Sequence, residues 1–328
     1  MTHKQHSDLY IAACAAERDG GGVYRYRIEN GKLVYIDKKE MDRPMYLRAE
    51  GKLLYALLRA PFAESEESGL AVYQIEEDGR IGARVSLVGT KGVVACHHSV
   101  CDGETYAVNY LSGNDVHIGG EAVAHEGKGP NAKRQDMPHP HCVIFSPDSR
   151  FLLVADLGLD TVFCYDRTLS LVSSAKVPLG DGARHLVFSA DGKTLFCVNE
   201  LRATLTRFAF FDGILTAEET VSCDVNYDEH PENLAAAIRL GNGGKMLYVS
   251  NRGEDTVCYF DAETLSLQGK TATGGKAPRD FELSPCENYL VSANMDSDTA
   301  TLLPLEKGIP QEAVDSVSLP APLCVIFA

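Results

Sequence analysis

The sequence predicts an all-β protein, a single seven-bladed propeller spanning residues 1–328, on three observations. A segment recurs: His141-Cys-Val-Ile-Phe-Ser-Pro-Asp148 returns as Arg184-His-Leu-Val-Phe-Ser-Ala-Asp191 and again as Arg279-Asp-Phe-Glu-Leu-Ser-Pro-Cys286. Self-similarity with a period of a few tens of residues marks a repeat architecture. Each repeat holds four short strand-like runs separated by turn residues, the count of a propeller blade. The two ends of the chain are complementary, as a closing ring requires.

Within a repeat the elements follow in a fixed order. An apolar first strand ends in a turn such as Ser146-Pro-Asp-Ser149, where Pro and Asp supply the backbone angles. A second strand rich in aromatic and branched residues follows, as in Phe151-Leu-Leu-Val-Ala155. A polar loop (Asp156–Asp160, Asn251–Asp255) leads to a third strand such as Thr161-Val-Phe-Cys-Tyr165, and a turn leads to the fourth. First strands start near Met45, Ala95, His141, Arg184, Ala235 and Ala277, and a last one, Ala321–Phe327, stands alone. The N-terminus supplies Leu9–Cys14, Val23–Ile28 and Leu33–Lys38, which read as strands two to four without a first. The C-terminal strand therefore completes the N-terminal blade, leaving only short protected edges. The run Glu232–Ile238 is helical by propensity but falls where the sixth first strand must begin, and the absence of Trp excludes a typical WD repeat.

Composition narrows the function classes. No apolar run reaches the ~20 residues needed to cross a bilayer, and the opening residues lack the apolar core of a leader, so the chain reads as cytoplasmic. The ten cysteines are scattered through apolar strand contexts with no Cys-x-x-Cys, which reads as buried reduced thiols. A net charge of −15 argues against nucleic acid or anionic membrane as a general partner. An anionic ligand must then be received by a local basic pocket.

Strand direction alternates within a blade, so the start of each first strand and the loop after each second strand share one face. Around the ring the strand-opening positions read Met45, Cys96, His141, Arg184, Ala236, Arg279 and Leu323, and the loops contribute Glu200 and Arg252. A repeat needs no chemistry at an opening position, so His and Arg there point to function. The longest connection, His125–His141, carries Arg134, Gln135 and His139 to the same mouth. Long loops in compact folds are usually binding or lid segments. His or Glu next to several guanidinium groups suits the opening of an anionic ester or lactone, the base activating water and the arginines holding oxyanions. The pair His139 and His141 lies on one face of an extended strand, but with no third ligand at suitable spacing no metal is expected. The recurrent Asn109, Asn199, Asn251 and Asn294 read as turn architecture, and Asp160, Asp255 and Asp298 as links between blades. Arg279 reads equally as a ligand group or as one half of a structural ion pair.

The segments Arg134-Gln-Asp-Met-Pro-His-Pro-His141, Val154-Ala-Asp-Leu-Gly158, Gly182-Ala-Arg-His185, Val198-Asn-Glu-Leu201 and Val249-Ser-Asn-Arg-Gly253 closely resemble the seven-bladed lactonase family. That family contains propeller-type 6-phosphogluconolactonases and the carboxy-cis,cis-muconate cyclase. The likeness covers essentially the whole chain and is specific in blades four to six. It implies a cofactor-free hydrolase opening 6-phospho-D-glucono-1,5-lactone in the pentose phosphate pathway. By the resemblance His141, Arg184, Glu200 and Arg252 are catalytic, with Arg239 a second candidate for the last place. Arg134, Gln135, His139, Arg239 and Arg279 are expected, from their places around the mouth, to bind substrate. The partner implied is a small anionic sugar lactone, and the expected state is a monomer or weak homodimer. Two rivals stand beside it: a cycloisomerase acting on a muconate with the same groups, and a propeller that binds a ligand or partner without turnover.

Overall fold

The computed structural model describes residues 8–224 and 232–328. Residues 1–7, on which the reading of the N-terminus partly rests, lie outside them. Seven sheets form the ring, each of four strands or, in the last, four with an additional pairing. The first blade is assembled from both ends of the chain: Pro322–Phe327 lies innermost, followed by Leu9–Ala13, Gly22–Glu29 and Lys32–Glu40. Leu9 pairs with Phe327 and Ile11 with Val325, and Asp8 and Ala328 exchange backbone hydrogen bonds of 3.1 and 3.0 Å. Buried Asp8 also takes Arg25 (3.1 Å) and Arg27 (2.6 Å), which fixes the register where the ring closes. Glu232–Ile238 is no helix: Leu234–Gly241 is the first strand of blade six, with Ala235, Ala236 and Ala237 fully buried. Tertiary packing overrides alanine's helical preference there.

The core is apolar packing between neighbouring blades. One cluster joins Cys142, Leu153, Ala155 and Val162 of blade four to Leu186, Leu195, Cys197 and Phe208 of blade five. None of the ten cysteines is paired, and seven are buried, behaving as small hydrophobes.

Blades are tied together by a repeated polar device. Asp160, Asp255 and Asp298 adopt left-handed backbone (φ 51°, 59° and 52°), a conformation Asp tolerates better than most residues. Each carboxylate accepts a backbone N–H from the segment entering the next blade: Asp160 from Gly180 and Gly182 (both 2.7 Å), Asp255 from Ala277 (2.7 Å), Asp298 from Ala321 (2.7 Å). The recurrent asparagines are fully buried and bond within their own surroundings, Asn199 to Thr204 and Thr206, Asn294 to Thr301. Both sets are scaffold.

Candidate active site

Every first strand carries a pairing irregularity at the same place. In blade four Pro140 pairs with Asp156 and Cys142 with Ala155, so His141 is left over as a bulge. The same skip leaves out Met45, Cys96, Arg184, Arg279 and Leu323, and in blade six both Ala236 and Ala237. A bulge frees its residue from the ladder and re-aims the side chain. Repeated in all seven blades, it frees one residue per blade, and two in blade six, at one mouth of the ring.

A second ring of side chains comes from the ends of the second strands: Cys14, Arg59, Tyr110, Glu200 and Met295 directly after theirs, and Arg252 as the last residue of its own, all line the mouth. In blade four the corresponding Leu157 does not. Together with Met45, Val94, Cys96, Leu111, Arg134, His141, Arg279 and Leu323 they enclose a cavity of about 440 Å³. That volume lies in the range of small-molecule sites. The lining is mixed: arginines and Glu200 share it with an apolar wall of Cys14, Met45, Val94, Leu111, Met295 and Leu323, among which Arg59 stands.

Glu200 is the hub of the charged side. It is 2% exposed, and its backbone N–H donates to Gly182 O (2.8 Å). Its Oε2 takes Arg184 Nε (2.9 Å) and Arg252 Nη2 (2.9 Å), and its Oε1 takes Arg134 Nη2 (2.5 Å). Burial alone would raise the carboxyl's pKa, but Arg252 and Arg184, with Arg134, outweigh it and hold it well below the usual carboxylate range. Arg184 is itself buried and gives Nη1 to Ala236 O (2.5 Å). Burial and the nearby Arg252 and Arg279 push its pKa down to about 9, so it stays charged at neutral pH. Arg279 has no hydrogen bond or ion pair among the described residues, which removes the structural ion-pair alternative and leaves its guanidinium for the cavity. Arg252 Nε is likewise buried without a partner.

His141 is 4% exposed, and its ring meets Tyr110 edge-on at 5.7 Å. Burial first, and then Arg184, hold its pKa well below 6.5, so the ring is neutral at physiological pH. A neutral imidazole in a cationic cavity has a lone pair available to take a proton.

The long connection reaches the mouth because it is anchored at both ends. His125 lies between two buried carboxylates, Nε2 2.9 Å from Asp115 Oδ2 and Nδ1 2.6 Å from Asp156 Oδ2. Burial would lower its pKa, but Asp115 and Asp156 raise it to about 10, making it a buried imidazolium. His139 stacks on Tyr110 (4.4 Å between ring centres) and donates from Nδ1 to Tyr110 O (2.8 Å). Arg134 then extends to Glu200 and to the Tyr110 hydroxyl (3.4 Å).

The structure brings together His141, Arg184, Glu200, Arg252, Arg134 and Arg279. It does not bring three expected substrate residues to the cavity. Gln135 is fully buried and donates to Leu157 O (2.9 Å) and Asp160 Oδ1 (2.7 Å), so it folds the loop rather than meeting a ligand. His139 supports Tyr110 from behind. Arg239 sits further along its strand, bound to Asp280 (2.8 Å) and Glu282 (2.8 Å), which leaves Arg252 as the arginine of that blade in the cavity. Two residues escaped the sequence reading. Tyr110 follows Asn109 as Glu200 follows Asn199, and that shared offset was the signal available for it. No repeat position marks His125, since its partners come together only in the fold.

Comparison with known proteins agrees with this architecture. The family described as "Lactonase, 7-bladed beta-propeller" matches residues 8–327. The chain belongs to this lactonase family. A Bacteroides fragilis protein proposed to be a 6-phosphogluconolactonase has a crystal structure 26% identical, covering 100% of this chain and 99% of its own, with a TM-score of 0.88. A Lactobacillus plantarum protein of known structure is 29% identical over 99% of this chain and 100% of its own, again with a TM-score of 0.88. An uncharacterised protein of Staphylococcus saprophyticus is 29% identical over 309 residues, 87% of this chain and 88% of the relative. The family description and these neighbours support a hydrolase acting on lactones, and the mouth described above holds a candidate base and guanidinium groups in one cavity.

Proposed function

We propose that the protein hydrolyses 6-phospho-D-glucono-1,5-lactone to 6-phosphogluconate, as a cytoplasmic monomer or weak homodimer. The observation that carries this reading is the cavity's charge balance. Among the described residues, Arg59, Arg134, Arg252 and Arg279 line the cavity with a single carboxylate, Glu200, beside neutral His141, and Arg184 pairs with Glu200 from beneath. A surplus of guanidinium in a cavity suits a multiply charged anion, which Arg binds bidentately.

Of the two candidate bases, the geometry favours His141. Both Glu200 oxygens are taken by arginines and its low pKa makes it a poor proton acceptor. In this scheme His141 accepts a proton from water as the water oxygen bonds to the lactone carbonyl carbon. The carbonyl electrons move to oxygen, and Arg252 or Arg279 meets that charge. Collapse breaks the bond to the ring oxygen, which takes the proton back from His141, and the new acid ionises. Arg184 acts beneath the cavity, holding Glu200, which in turn aligns Arg134 and Arg252.

The test is comparison of phosphorylated and unphosphorylated gluconolactone, each corrected for spontaneous hydrolysis. The reading expects kcat/KM at least ten-fold higher for the phosphorylated lactone, and equal values would refute it. The apolar wall favours a second reading. An unsaturated carboxylate such as a carboxymuconate would lay its carbon skeleton on Met45, Leu111, Met295 and Leu323 with its carboxylates on the arginines. Loss of muconate absorbance on adding the protein, with no lactone hydrolysis, would establish the cycloisomerase instead.

A further inference from the structure

A histidine general base normally needs a partner on its far nitrogen, to fix the tautomer and hold the ring. His141 Nδ1 is buried and has no hydrogen-bond partner among the described residues. An unmet buried polar atom of this kind costs about 1–3 kcal/mol, so something satisfies it.

Below the cavity the axis narrows to a void of about 10 Å³, bounded by Tyr46, Cys96, His141, Arg184, His185, Arg279 and Asp280, with Met45 and Leu323 as its apolar part. That is room for about one water, in a setting polar enough to keep it. His185 follows bulged Arg184 in the first strand of blade five. It is 5% exposed, and neither of its ring nitrogens makes a hydrogen bond among the described residues. Its ring centre lies 5.3 Å from that of His141 at an interplanar angle of 64°. The two rings make no direct hydrogen bond with each other, and the void that both line has room for a bridging water.

We propose that His185 is a positioning residue for His141, the two imidazoles sharing one buried water that fixes Nδ1–H on His141 and leaves Nε2 to the cavity. The proposal rests on His141 being the base. On the other side of His185, His97 is set as an acceptor at Nδ1 by Val143 N–H (3.4 Å), with its ring centre 5.3 Å from that of His185. His185 is thus packed between His97 and His141, which limits how far its ring can turn.

Three measurements on the whole protein test this. His185→Phe keeps the ring's bulk but cannot bond the water, and kcat for lactone hydrolysis should fall roughly 10- to 100-fold, as for loss of other supporting partners. KM should change less than three-fold. His185→Gln, which can still bond a water, should recover most of the loss. A folded His185→Phe protein with wild-type kcat, or equal losses in kcat and 1/KM, overturns the proposal. Nitrogen NMR of the His141 ring needs no turnover: the wild type should show Nδ1–H alone, and His185→Phe a mixture of tautomers. An Nε2–H wild-type ring overturns the proposal even if His185→Phe does not fold. If the wild type shows no hydrolysis but the ring is Nδ1–H and responds to His185→Phe, the lactone reading fails while the coupling of the two histidines stands.

Discussion

Replacing His125 by Leu removes the imidazolium between Asp115 and Asp156 and leaves two carboxylates, both 2% exposed or less, facing each other without a cation. Breaking a buried ion pair in this way costs about 3–5 kcal/mol. Linkage gives a figure of the same size. The rise of the His125 pKa from 6.5 to about 10 corresponds to about 5 kcal/mol of folding stability. Because the folded pKa is the higher one, the native state holds the proton after the unfolded chain has lost it. The contribution is therefore complete below pH 6.5 and lost as pH rises through about 10. Urea unfolding of wild type and His125→Leu should differ by about 4 kcal/mol at pH 6.5 and converge toward pH 10. At about 1.5 °C per kcal/mol for a chain of this length, the melting temperature should drop by roughly 6 °C. The double variant His125→Leu/Asp115→Asn, with one carboxylate fewer, should recover part of the loss. A difference below 1 kcal/mol at pH 6.5, or one that grows with pH, would refute the reasoning. Since His125 anchors the segment that brings Arg134 to Glu200, the variant should also lose activity.

Three further outcomes follow from the same geometry. Arg279→Ala removes a guanidinium that has no hydrogen bond or ion pair among the described residues, so KM for an anionic lactone should rise at least ten-fold while the melting temperature moves by less than 3 °C. The pH-rate profile should be flat through neutrality with its acid limb well below 6.5, because burial and Arg184 keep His141 unprotonated; a limb at or above 6.5 contradicts that charge state. Asp160→Ala should destabilise by about 3 kcal/mol in urea, since it strands the N–H groups of Gly180 and Gly182 and places Ala at φ 51°. Asp160→Asn, which tolerates that backbone and can still accept a hydrogen bond, should lose about half as much.

The ring was legible in the sequence because its signals are local. The Ser-Pro-Asp turns, the repeated second strands and the matching ends each sit in contiguous residues, and Leu9↔Phe327 pairing closes the blade as those ends require. The site was legible where it departs from the repeat: His141, Arg184 and Arg279 occupy positions where neighbouring blades carry Met45, Cys96 or Leu323. What the sequence hides is register. The bulge that frees these residues at the mouth is a skipped backbone pair, with no residue type that announces it. Arg239 looks equivalent to Arg252 in sequence, yet it sits inside the strand, beyond the bulge, where Asp280 and Glu282 claim it. Gln135 and His139 share the loop with Arg134, but the loop folds back on Asp160 and Tyr110. Only long-range contacts decide which of its side chains meets the cavity.

The central claim is that neutral His141, set among the arginines of the mouth, is the base that opens a lactone. Hydrolysis of 6-phosphogluconolactone, corrected for its spontaneous rate, tests it with wild type and His141→Ala. The account predicts a 10²- to 10⁴-fold lower kcat for the folded variant. Equal rates for the two proteins would contradict it.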